Sequence, residues 1–375
     1  MGAVKKILTF LLILIFLMVA FSYLKSLPRV VSVAPEGLSV LSVANNTSLD
    51  SMFDSYGNLG DGWTGSDGTY SLDLGNGRII WTEDDTILGT VDTQNCSREP
   101  FPETPIIHNS VLVESNGTIR NTLMNYNGSI PAPEFETSSS SSWFWPGPAM
   151  IYDNQVIVLL GKFSSNGSNP LSYNYLGSYI AFMNESTLAL ERISEIRSGP
   201  VMWDQWLYHY DGYTYVFGAM DNTTLAYLAR FTGDDICGPW YFYDGDGWTT
   251  TCNEAVPISN QVANGYSFSM ILGHFVIFTN DVSSSLSVFG GRMYALVSDS
   301  ITGPYNSTVY LFTTPEQNIY SNHTEYGVWT YGPHVQFQYN NGSLVVISYD
   351  VDGFGPKAFT NVSVYRPRFV DVRFA

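Results

Sequence analysis

The chain is poor in charged residues, above all in basic ones. Of its 375 residues, 16 are Lys or Arg and 34 are Asp or Glu, which gives a formal net charge of −18. Because no basic excess is available to neutralise phosphates, nucleic acid is not expected as a partner. A charged fraction of 13% is also unlike a helical cytosolic enzyme, which would be rich in Glu, Lys, Ala and Leu.

Cysteine is scarce as well, with three residues in the chain. Cys237 and Cys252 bracket a segment whose pattern predicts a strand, a turn and a returning strand. A disulfide across this hairpin is the expectation in an oxidising compartment, and two thiols are the alternative. Cys96 is left over. No Cys/His spacing resembles a zinc site and no nucleotide-binding motif is present, so no metal and no cofactor are expected.

Apolar and aromatic residues are plentiful, at 45% and 15% of the chain. This content excludes a disordered chain and, with many Tyr, Asn, Ser, Thr and Gly residues, is typical of an all-β exported protein. From Asp61 onward, short β runs alternate with Gly, Asn and Asp turns. The predicted strands include Arg78–Trp81, Ile107–Glu114, Gln155–Lys162, Tyr213–Met220, His274–Thr279, Arg292–Ser298 and Ser343–Asp350.

The N-terminus predicts export. Residues Ile7–Tyr23 carry no charge, and Lys5 and Lys6 precede them. A run of about 17 apolar residues is at the lower limit for a membrane-spanning helix and at the upper limit for a signal-peptide core. We therefore predict a signal peptide or a signal anchor helix over residues 1–30. The rest of the chain would be extracellular or at the cell surface, either membrane-anchored or secreted.

Asn-x-Ser/Thr sequons support export, since N-glycans are added to exported chains. Chance occurrence in a chain rich in Asn, Ser and Thr is the alternative, but the spread of the sequons along the chain favours surface glycans. The sequons begin at Asn45, Asn46, Asn95, Asn116, Asn127, Asn166, Asn184, Asn222, Asn306, Asn322, Asn341 and Asn361.

The predicted strands fall into five groups of about four. The groups begin near Ser66, Trp145, Pro200, Tyr266 and Tyr331. This pattern predicts a five-bladed β-propeller over residues 61–375, preceded by a lead-in segment at 31–60. A pair of β-sandwiches with the same number of strands is the alternative.

One internal repeat favours the propeller. Ile236-Cys-Gly-Pro-Trp240 reappears 65 residues later as Ile301-Thr-Gly-Pro-Tyr305. A Gly-Pro-aromatic turn before an outer strand recurs once per blade in some propellers, so we expect these two segments to occupy equivalent positions.

Two acidic residues flank the first predicted hairpin. Asp67 precedes one strand and Asp85 follows its partner, so antiparallel pairing brings both to the same end of the hairpin. Two carboxylates at such an end suit the cleavage of a glycosidic bond, in which one acts as an acid and the other as a nucleophile or base. The alternative is that both residues cap turns, as Asp commonly does beside Gly.

The same segment resembles a known family. Trp63-Thr-Gly-Ser-Asp67-Gly-Thr-Tyr-Ser and Trp81-x-x-x-Asp85-Thr-x-Leu-Gly are similar to the opening of secreted, glycoside-hydrolase-like five-bladed propellers, which are related to endo-D-arabinanases. The resemblance extends over about residues 60–375. It implies a propeller fold and a carbohydrate substrate. It also implies that Asp67 and Asp85 are catalytic, with Asp67 as nucleophile and Asp85 as acid/base, or the reverse.

The chain departs from the pattern of that family at two positions. Pro148 stands where relatives often carry an acid after Trp-Pro-Gly, and Asp84 stands where the residue before Asp85 is usually Gly. An adjacent carboxylate raises the pKa of its neighbour by like-charge repulsion. The missing acid keeps open a degenerate site that binds a glycan without hydrolysis.

Several further residues are candidates for supporting roles. His108 and His334 begin predicted strands, where a pocket would lie, although a histidine satisfied in the core or in a turn is more common. By analogy with some propeller glycosidases, His334 would also help to hold a central structural ion. Asp204 would complete an acidic trio. Arg366 would either pair with pocket acids or seal the last blade.

Tryptophan supplies the candidate platforms for sugar stacking. Trp63 and Trp145 lie within the motifs that resemble the propeller family. Packing between blades is the alternative for both residues, since large aromatic side chains dominate such cores.

The sequence therefore predicts an extracellular glycoside hydrolase-like protein that acts on a polysaccharide or glycan through paired Asp carboxylates. The alternative is a non-catalytic glycan-binding or structural surface or coat glycoprotein, which would explain the sequons and Pro148 without any chemistry. The expected partners are carbohydrate and, through the N-terminal helix, a membrane.

Overall fold

Antiparallel strands joined by tight turns make up most of the fold. The computed structural model describes residues 37–60, 62–99, 104–167, 172–197, 199–282, 291–316, 327–353 and 356–375. The predicted signal or anchor helix at 1–30 lies outside these residues. Within the described ranges, no helix has the length and apolar character needed to cross a lipid bilayer.

Five sheets, here named A to E, contain four or five antiparallel strands each within the described residues. Sheet A contains β3 (Tyr70–Gly75), β4 (Arg78–Glu83), β8 (Ser110–Ser115) and β9 (Ile119–Leu123). Sheet B contains β12 (Ser142–Tyr152), β13 (Gln155–Ser165), β14 (Tyr173–Asn184) and β15 (Leu190–Arg197). Sheet C contains β16 (Val201–Tyr210), β17 (Tyr213–Met220), β18 (Ala226–Thr232), β19 (Tyr241–Tyr243) and β20 (Trp248–Thr249). Sheet D contains β21 (Ser267–Ile271), β22 (His274–Asn280), β23 (Arg292–Ser298) and β24 (Ser307–Thr313).

Sheet E joins the two ends of the described chain. Its strands are β25 (Val328–Val335), β26 (Leu344–Gly353), β27 (Arg368–Phe374) and β1 (Val40–Asn45). Helix α1 (Thr47–Gly57) follows β1, and the Asn46 side chain both accepts a hydrogen bond from the Leu49 backbone N–H and donates one to Asp371. The part of the predicted lead-in that the structure describes therefore belongs to the same fold as the last sheet.

The remaining elements are short. They are β2 (Gly62–Ser66), β5 (Thr86–Asp92), β6 (Ser97–Glu99) and β7 (Ile106–Ile107) in one small sheet, the hairpin β10 (Asn125–Asn127) and β11 (Ile130–Ala132), helix α2 (Lys357–Thr360), and 3₁₀ turns at Cys252–Glu254 and Phe337–Tyr339.

Each sheet packs against the next one in the chain. The first strands β3, β12, β16, β21 and β25 contact one another in this order. Apolar clusters fill the spaces between sheets A and B, between B and C, and among C, D and E. A fourth cluster, with Trp81 of sheet A, Phe369 of sheet E and Phe53 of α1, joins the last sheet to the first. Apolar packing therefore connects sheet E with sheet A.

Tight turns with Asn, Asp and Gly set the register of the first hairpins, as predicted. Asn76-Gly77 joins β3 to β4, and Asp211-Gly212 joins β16 to β17, each with positive φ at both residues. These backbone angles match the right-handed twist of the strands, and Gly and Asn adopt them at low cost. Predicted strands Tyr213–Met220 and Arg292–Ser298 coincide with β17 and β23.

The predicted repeat has a common structural role. In sheet C the indole N–H of Trp240 donates to the carbonyl of Ile236 over 2.9 Å. In sheet D the hydroxyl of Tyr305 donates to the carbonyl of Ile301 over 3.0 Å. All four side chains are buried. The two segments thus lie before the fourth strand of their sheets and make the same kind of aromatic-to-carbonyl hydrogen bond, as the repeat predicted.

The predicted disulfide is wrong in this structure, where Cys237 and Cys252 are both thiols. Cys237 is exposed in the turn before Trp240, whereas Cys252 begins a 3₁₀ turn and packs against the apolar cluster between sheets B and C. The returning strand β20 has two residues, too few to carry Cys252 back along the hairpin to Cys237.

Candidate functional site

The hairpin of β3 and β4 places three acidic residues together. Tyr70 pairs with Thr82, so the start of β3 lies beside the end of β4. Asp67 precedes β3, and Asp84 and Asp85 follow β4. The backbone N–H of Asp84 donates to the carbonyl of Asp67 over 2.8 Å. This geometry confirms that the two strands bring these acids to one end.

These acids line a cavity of about 450 Å³ among the sheets. Strands of sheets A, B, C and E contribute residues to it, together with Asn264 and Gly265 from the segment before sheet D. Its acidic lining residues are Asp67, Asp84, Asp85, Asp204, Asp350 and Asp352. Its aromatic lining residues are Tyr70, Trp145, Phe163, Tyr173, Trp329, Tyr331, Phe359 and Tyr365. None of the described residues in the lining is Lys or Arg.

Asp67 is partly buried in the cavity wall. Burial raises the pKa of this carboxyl to about 7, and the charge of Asp85 contributes in the same direction. The hydroxyl of Tyr331 donates to Oδ2 of Asp67 and partly opposes the shift, while Oδ1 has no hydrogen-bond partner. Asp67 can therefore hold a proton near neutral pH and release it in the cavity.

Asp85 lies in a more polar setting. Its Oδ1 accepts a hydrogen bond from the indole N–H of Trp145 over 3.0 Å and lies 2.9 Å from Nδ1 of His108. His108 is half exposed and stacks on Trp143 with ring centroids 4.7 Å apart. These groups hold the carboxylate in one orientation and stabilise its negative charge.

Asp84 and Asp350 are the most strongly perturbed acids of the cavity, together with Asp352. Burial raises the pKa of each well above its ordinary value, and the charge of Asp67 is the next cause in all three. Oδ1 of Asp84 and both carboxylate oxygens of Asp350 lack a hydrogen-bond partner. The cavity therefore concentrates acids that the protein itself leaves unsatisfied.

Asp204 enters from β16, as the predicted acidic trio requires. Burial raises its pKa to about 6, opposed by a hydrogen bond of 2.8 Å from the Gln205 side chain. Two glycines of sheet B make room for it: a Cβ at Gly147 would lie 2.1 Å from the carbonyl oxygen of Asp204, and a Cβ at Gly161 would lie 2.2 Å from its Oδ2. The Gly of the Trp145-Pro146-Gly147 motif is thus needed for the close approach of β16.

Glu83 lies behind the cavity and supports its floor. Its Oε2 accepts hydrogen bonds from Ser66 and Thr69, over 2.7 and 2.9 Å. Burial raises the pKa of this carboxyl to about 8 despite both bonds. Glu83 therefore adds to the acid content of the site without lining the cavity.

His334 also borders the cavity, deep in the fold. Burial lowers its pKa to about 3, so the imidazole is neutral. Nδ1 lies 3.2 Å from the carbonyl of Thr69, and the ring stacks on Tyr70 at 3.9 Å and on Trp206 at 5.9 Å between centroids. The neutral ring joins sheet E to the residues before sheet A. Among the described residues, no three His, Cys, Asp or Glu side chains are arranged to hold a metal ion.

Two predicted site residues lie away from the cavity. Trp63 is buried against Phe53 and Tyr56 of α1, so its ring has no face available for sugar stacking. Arg366 binds the carbonyl of Thr64 and the side chains of Asp54 and Asn58, and so takes the sealing role. Trp145, by contrast, lines the cavity as predicted.

Asp350 and Asp352 were not predicted. They alternate along β26, which places both on the same face of the strand. The sequence signal is Ser348-Tyr-Asp-Val-Asp352 at the end of an apolar β run, where an unpaired acid is unexpected. Tyr331, which bonds Asp67, had no comparable signal because it meets Asp67 only through the packing of sheet E on sheet A.

Most of the chain matches a known protein family. Residues 50–374 match the family described as "Domain of unknown function (DUF5005)". The chain belongs to the DUF5005 family. No curated protein matches it.

Solved structures relate the fold of this DUF5005 protein to other proteins. A candidate hydrolase from Bacteroides ovatus ATCC 8483 is similar with a TM-score of 0.72 and 19% identity, over 92% of this chain and 97% of that one. This similarity indicates a shared fold.

Two enzymes are less similar. An exo-β-1,3-galactanase variant from Phanerochaete chrysosporium, bound to β-1,3-galactotriose, has a TM-score of 0.47 and 12% identity, over 83% of this chain and 62% of that one. A GH43_1 enzyme from Xanthomonas citri, in complex with xylotriose, has a TM-score of 0.43 and 11% identity, over 88% and 92% of the two chains.

Proposed function

We propose that this DUF5005 protein is a glycoside hydrolase that acts on a polysaccharide or glycan through Asp67 and Asp85. The observation that carries the proposal is the contrast between two acids in one cavity. The pKa of Asp67 is raised to about 7 by desolvation and by the charge of Asp85, whereas Asp85 is held by Trp145 and His108. Glycosidic bond cleavage needs one protonated and one ionised carboxyl group, and different environments provide both.

The environments favour specific roles. Asp67 is the general acid: burial keeps its proton, which passes to the leaving glycosidic oxygen as the bond to the anomeric carbon breaks. Asp85 is the ionised partner, which either attacks the anomeric carbon or takes a proton from an attacking water. The family resemblance implied Asp67 as nucleophile and Asp85 as acid/base, or the reverse. The environments of the two residues favour the reverse.

Aromatic walls supply the surface that a sugar needs. Trp145, Tyr173, Tyr331, Phe359 and Tyr365 are all partly exposed in the cavity. Sugar rings pack their C–H faces on such side chains, which bury apolar area and leave the hydroxyls free for polar groups. This supports a carbohydrate substrate.

We further propose that sheets A to E are the blades of a five-bladed β-propeller, with the cavity at one end of its axis. Supporting this are the contacts of each first strand with the next and the apolar cluster between sheets E and A. Strand β1 would then close the last blade by pairing with β27.

The test is an activity assay on a panel of polysaccharides that includes arabinans, β-1,3-galactan and xylan, with released oligosaccharides as the readout. We expect Asp67→Asn and Asp85→Asn each to abolish turnover. Asp299→Asn is the matched control, because this carboxylate is almost fully exposed and does not line the cavity. Full activity in either cavity variant would contradict the assignment.

Glycan binding without hydrolysis is the second candidate. It is favoured by the extra carboxylate of Asp84 beside the pair, because repulsion among three neighbouring acids disturbs an acid/base division. Binding of one glycan from the panel with no released product from any of them would select this function.

We also propose that the protein is exported and N-glycosylated. No sequon Asn in the described residues is buried, and eight are exposed: Asn45, Asn95, Asn116, Asn127, Asn166, Asn222, Asn306 and Asn341. Asn322 lies outside the described residues. Treatment of the native protein with peptide N-glycosidase should lower its mass, and an unchanged mass would contradict glycosylation.

A further inference from the structure

The cavity holds more acid than hydrolysis requires. Besides Asp67 and Asp85, four further carboxyl groups line it, from Asp84, Asp204, Asp350 and Asp352, and the described lining contains neither Lys nor Arg. Buried carboxylates are normally paired or fully hydrogen-bonded, because removal of a charge from water is costly. The excess therefore calls for a positively charged partner.

Asp350 is the strongest evidence for such a partner. Asp350 is 1% exposed and lines the cavity, and no side chain donates a hydrogen bond to either of its oxygens. The backbone N–H of Gly68 interacts with its carboxyl group. Gly332 lies beside Oδ2 of Asp350, and a Cβ on this glycine would come within 2.6 Å of that oxygen. Because glycine has no side chain, Gly332 leaves this oxygen uncovered.

Another buried acid of the same protein is satisfied in the usual way. Oε2 of Glu114 accepts hydrogen bonds from the indole of Trp81 and the hydroxyl of Tyr339, over 3.0 and 2.8 Å. Glu114 lies in sheet A and does not line the cavity. Among the described residues, Glu83 behind the cavity also keeps one oxygen, Oε1, without a partner, so the unsatisfied acid oxygens named here lie in the cavity and at its floor.

The walls complete a site for an organic cation. The aromatic rings of Tyr331, Tyr365 and Trp145 line the cavity with the acids. Ammonium groups bind to carboxylates by charge-assisted hydrogen bonds and to aromatic faces through the ring quadrupole.

We propose that the ligand of this cavity is a glycan with unacetylated amino sugars, whose ammonium group is bound by Asp350 and the neighbouring carboxylates. This inference rests on the proposed function, because it takes the ligand to be a carbohydrate. It goes further in stating that this carbohydrate is positively charged. An ammonium group supplies three donors, which matches a place where several acceptors lack partners.

The test compares three β-1,4-linked tetrasaccharides that differ at C2: glucosamine, N-acetylglucosamine and glucose. Binding to the full-length protein is measured by titration calorimetry at neutral pH. We expect the glucosamine tetrasaccharide to bind about tenfold more tightly than the other two, as charge-assisted hydrogen bonds are stronger than neutral ones. Added salt should weaken this binding alone, because it screens charge.

Asp350→Asn should remove the preference for the glucosamine tetrasaccharide over the glucose tetrasaccharide. Asp299→Asn, which removes the same charge from an exposed position, should keep the preference. A thermal melt of each variant establishes that the fold is retained. Because Asn has nearly the same shape as Asp, a folded Asp350→Asn protein is expected.

Equal binding of the three ligands, tighter binding of a neutral one, or no binding of the glucosamine tetrasaccharide would overturn the inference. So would tight binding of calcium chloride that excludes the glucosamine tetrasaccharide, since the acids would then serve a metal ion. Hydrolysis of neutral glycans without a preference for charge would overturn this inference and leave the proposed function standing. Tight, salt-sensitive binding of the glucosamine tetrasaccharide without turnover would support this inference and contradict the proposed hydrolysis.

Discussion

Two groups of buried charge lie close together in this protein and differ in how they are satisfied. Arg98 and Arg366 both donate to the carbonyl of Thr64 in β2, and Arg366 also binds Asp54 and Asn58. Arg98 reaches further carbonyls, among them that of Tyr365. The cavity acids, in contrast, keep oxygens without partners on Asp67, Asp84 and Asp350.

The difference separates structure from function. Each arginine joins the C-terminal segment to the N-terminal part of the fold and gains hydrogen bonds that offset its burial. Burial perturbs the pKa values of both groups, downwards for the arginines and upwards for the acids, but the acids named above make fewer hydrogen bonds. Unsatisfied buried groups that line a cavity are typical of sites that bind or react with a ligand. The following predictions test this contrast, beginning with the largest effect.

Asp67→Asn should lower the turnover of any glycan substrate by about 10²- to 10⁴-fold, the usual contribution of a general acid. Its free energy of unfolding at neutral pH should not fall, because Asn keeps an oxygen that can accept the bond from Tyr331 and removes a carboxylate whose ionisation burial disfavours. Released oligosaccharide and urea unfolding measure the two effects. A loss of stability in parallel with activity would mean that Asp67 has a structural role.

Arg366→Met should act on stability. It removes the hydrogen bonds that the guanidinium makes to Thr64, Asp54 and Asn58, and a hydrogen bond to a charged group contributes about 1.5–3 kcal/mol. Urea unfolding should therefore shift to lower concentration, with Arg120→Met at an exposed position as the control. Unchanged stability in Arg366→Met would contradict the structural role assigned to the buried arginines, and with it their contrast with the cavity acids.

Stability should decrease as pH rises from about 4 to about 8. Burial raises the pKa values of Asp204, Asp67 and Glu83 to about 6, 7 and 8, so the folded state keeps protons that the unfolded chain has already released. The resulting stability is full at low pH and is lost as pH passes through these values. Glu83→Gln should flatten the profile by up to about 5 kcal/mol, at about 1.4 kcal/mol for each pH unit by which the pKa is raised, and an unchanged profile would contradict the raised pKa of Glu83.

Tyr331→Phe should have the smallest effect. Its hydroxyl stabilises the ionised form of Asp67, so its removal raises the pKa of Asp67 further. The alkaline limb of the activity profile should move up by about half a pH unit to one pH unit, as expected for one hydrogen bond. A shift to lower pH would contradict the role of Asp67 as the acid.

The sequence predicted local structure well. Alternating apolar residues bounded by Asn-Gly or Asp-Gly turns fix a hairpin through nearby contacts, and for this reason β17 and β23 have their predicted bounds. The equivalence of the Ile236 and Ile301 segments was equally local, because each closes on itself through one hydrogen bond. The Cys237–Cys252 disulfide failed, since the distance between two side chains depends on how the intervening chain packs.

The candidate site divides in the same way. Sequence alone placed Asp67, Asp84 and Asp85 together, because strand pairing is a short-range consequence of the hairpin. Asp350, Asp352 and Tyr331 join them only through the packing of sheet E on sheet A, across more than 240 residues of chain. Sequence likewise left two possible roles for each of two residues. Trp63 could stack on sugar or pack in the core, and Arg366 could pair with pocket acids or seal the last blade. Tertiary packing decided both, since burial depends on neighbours that are distant in the chain.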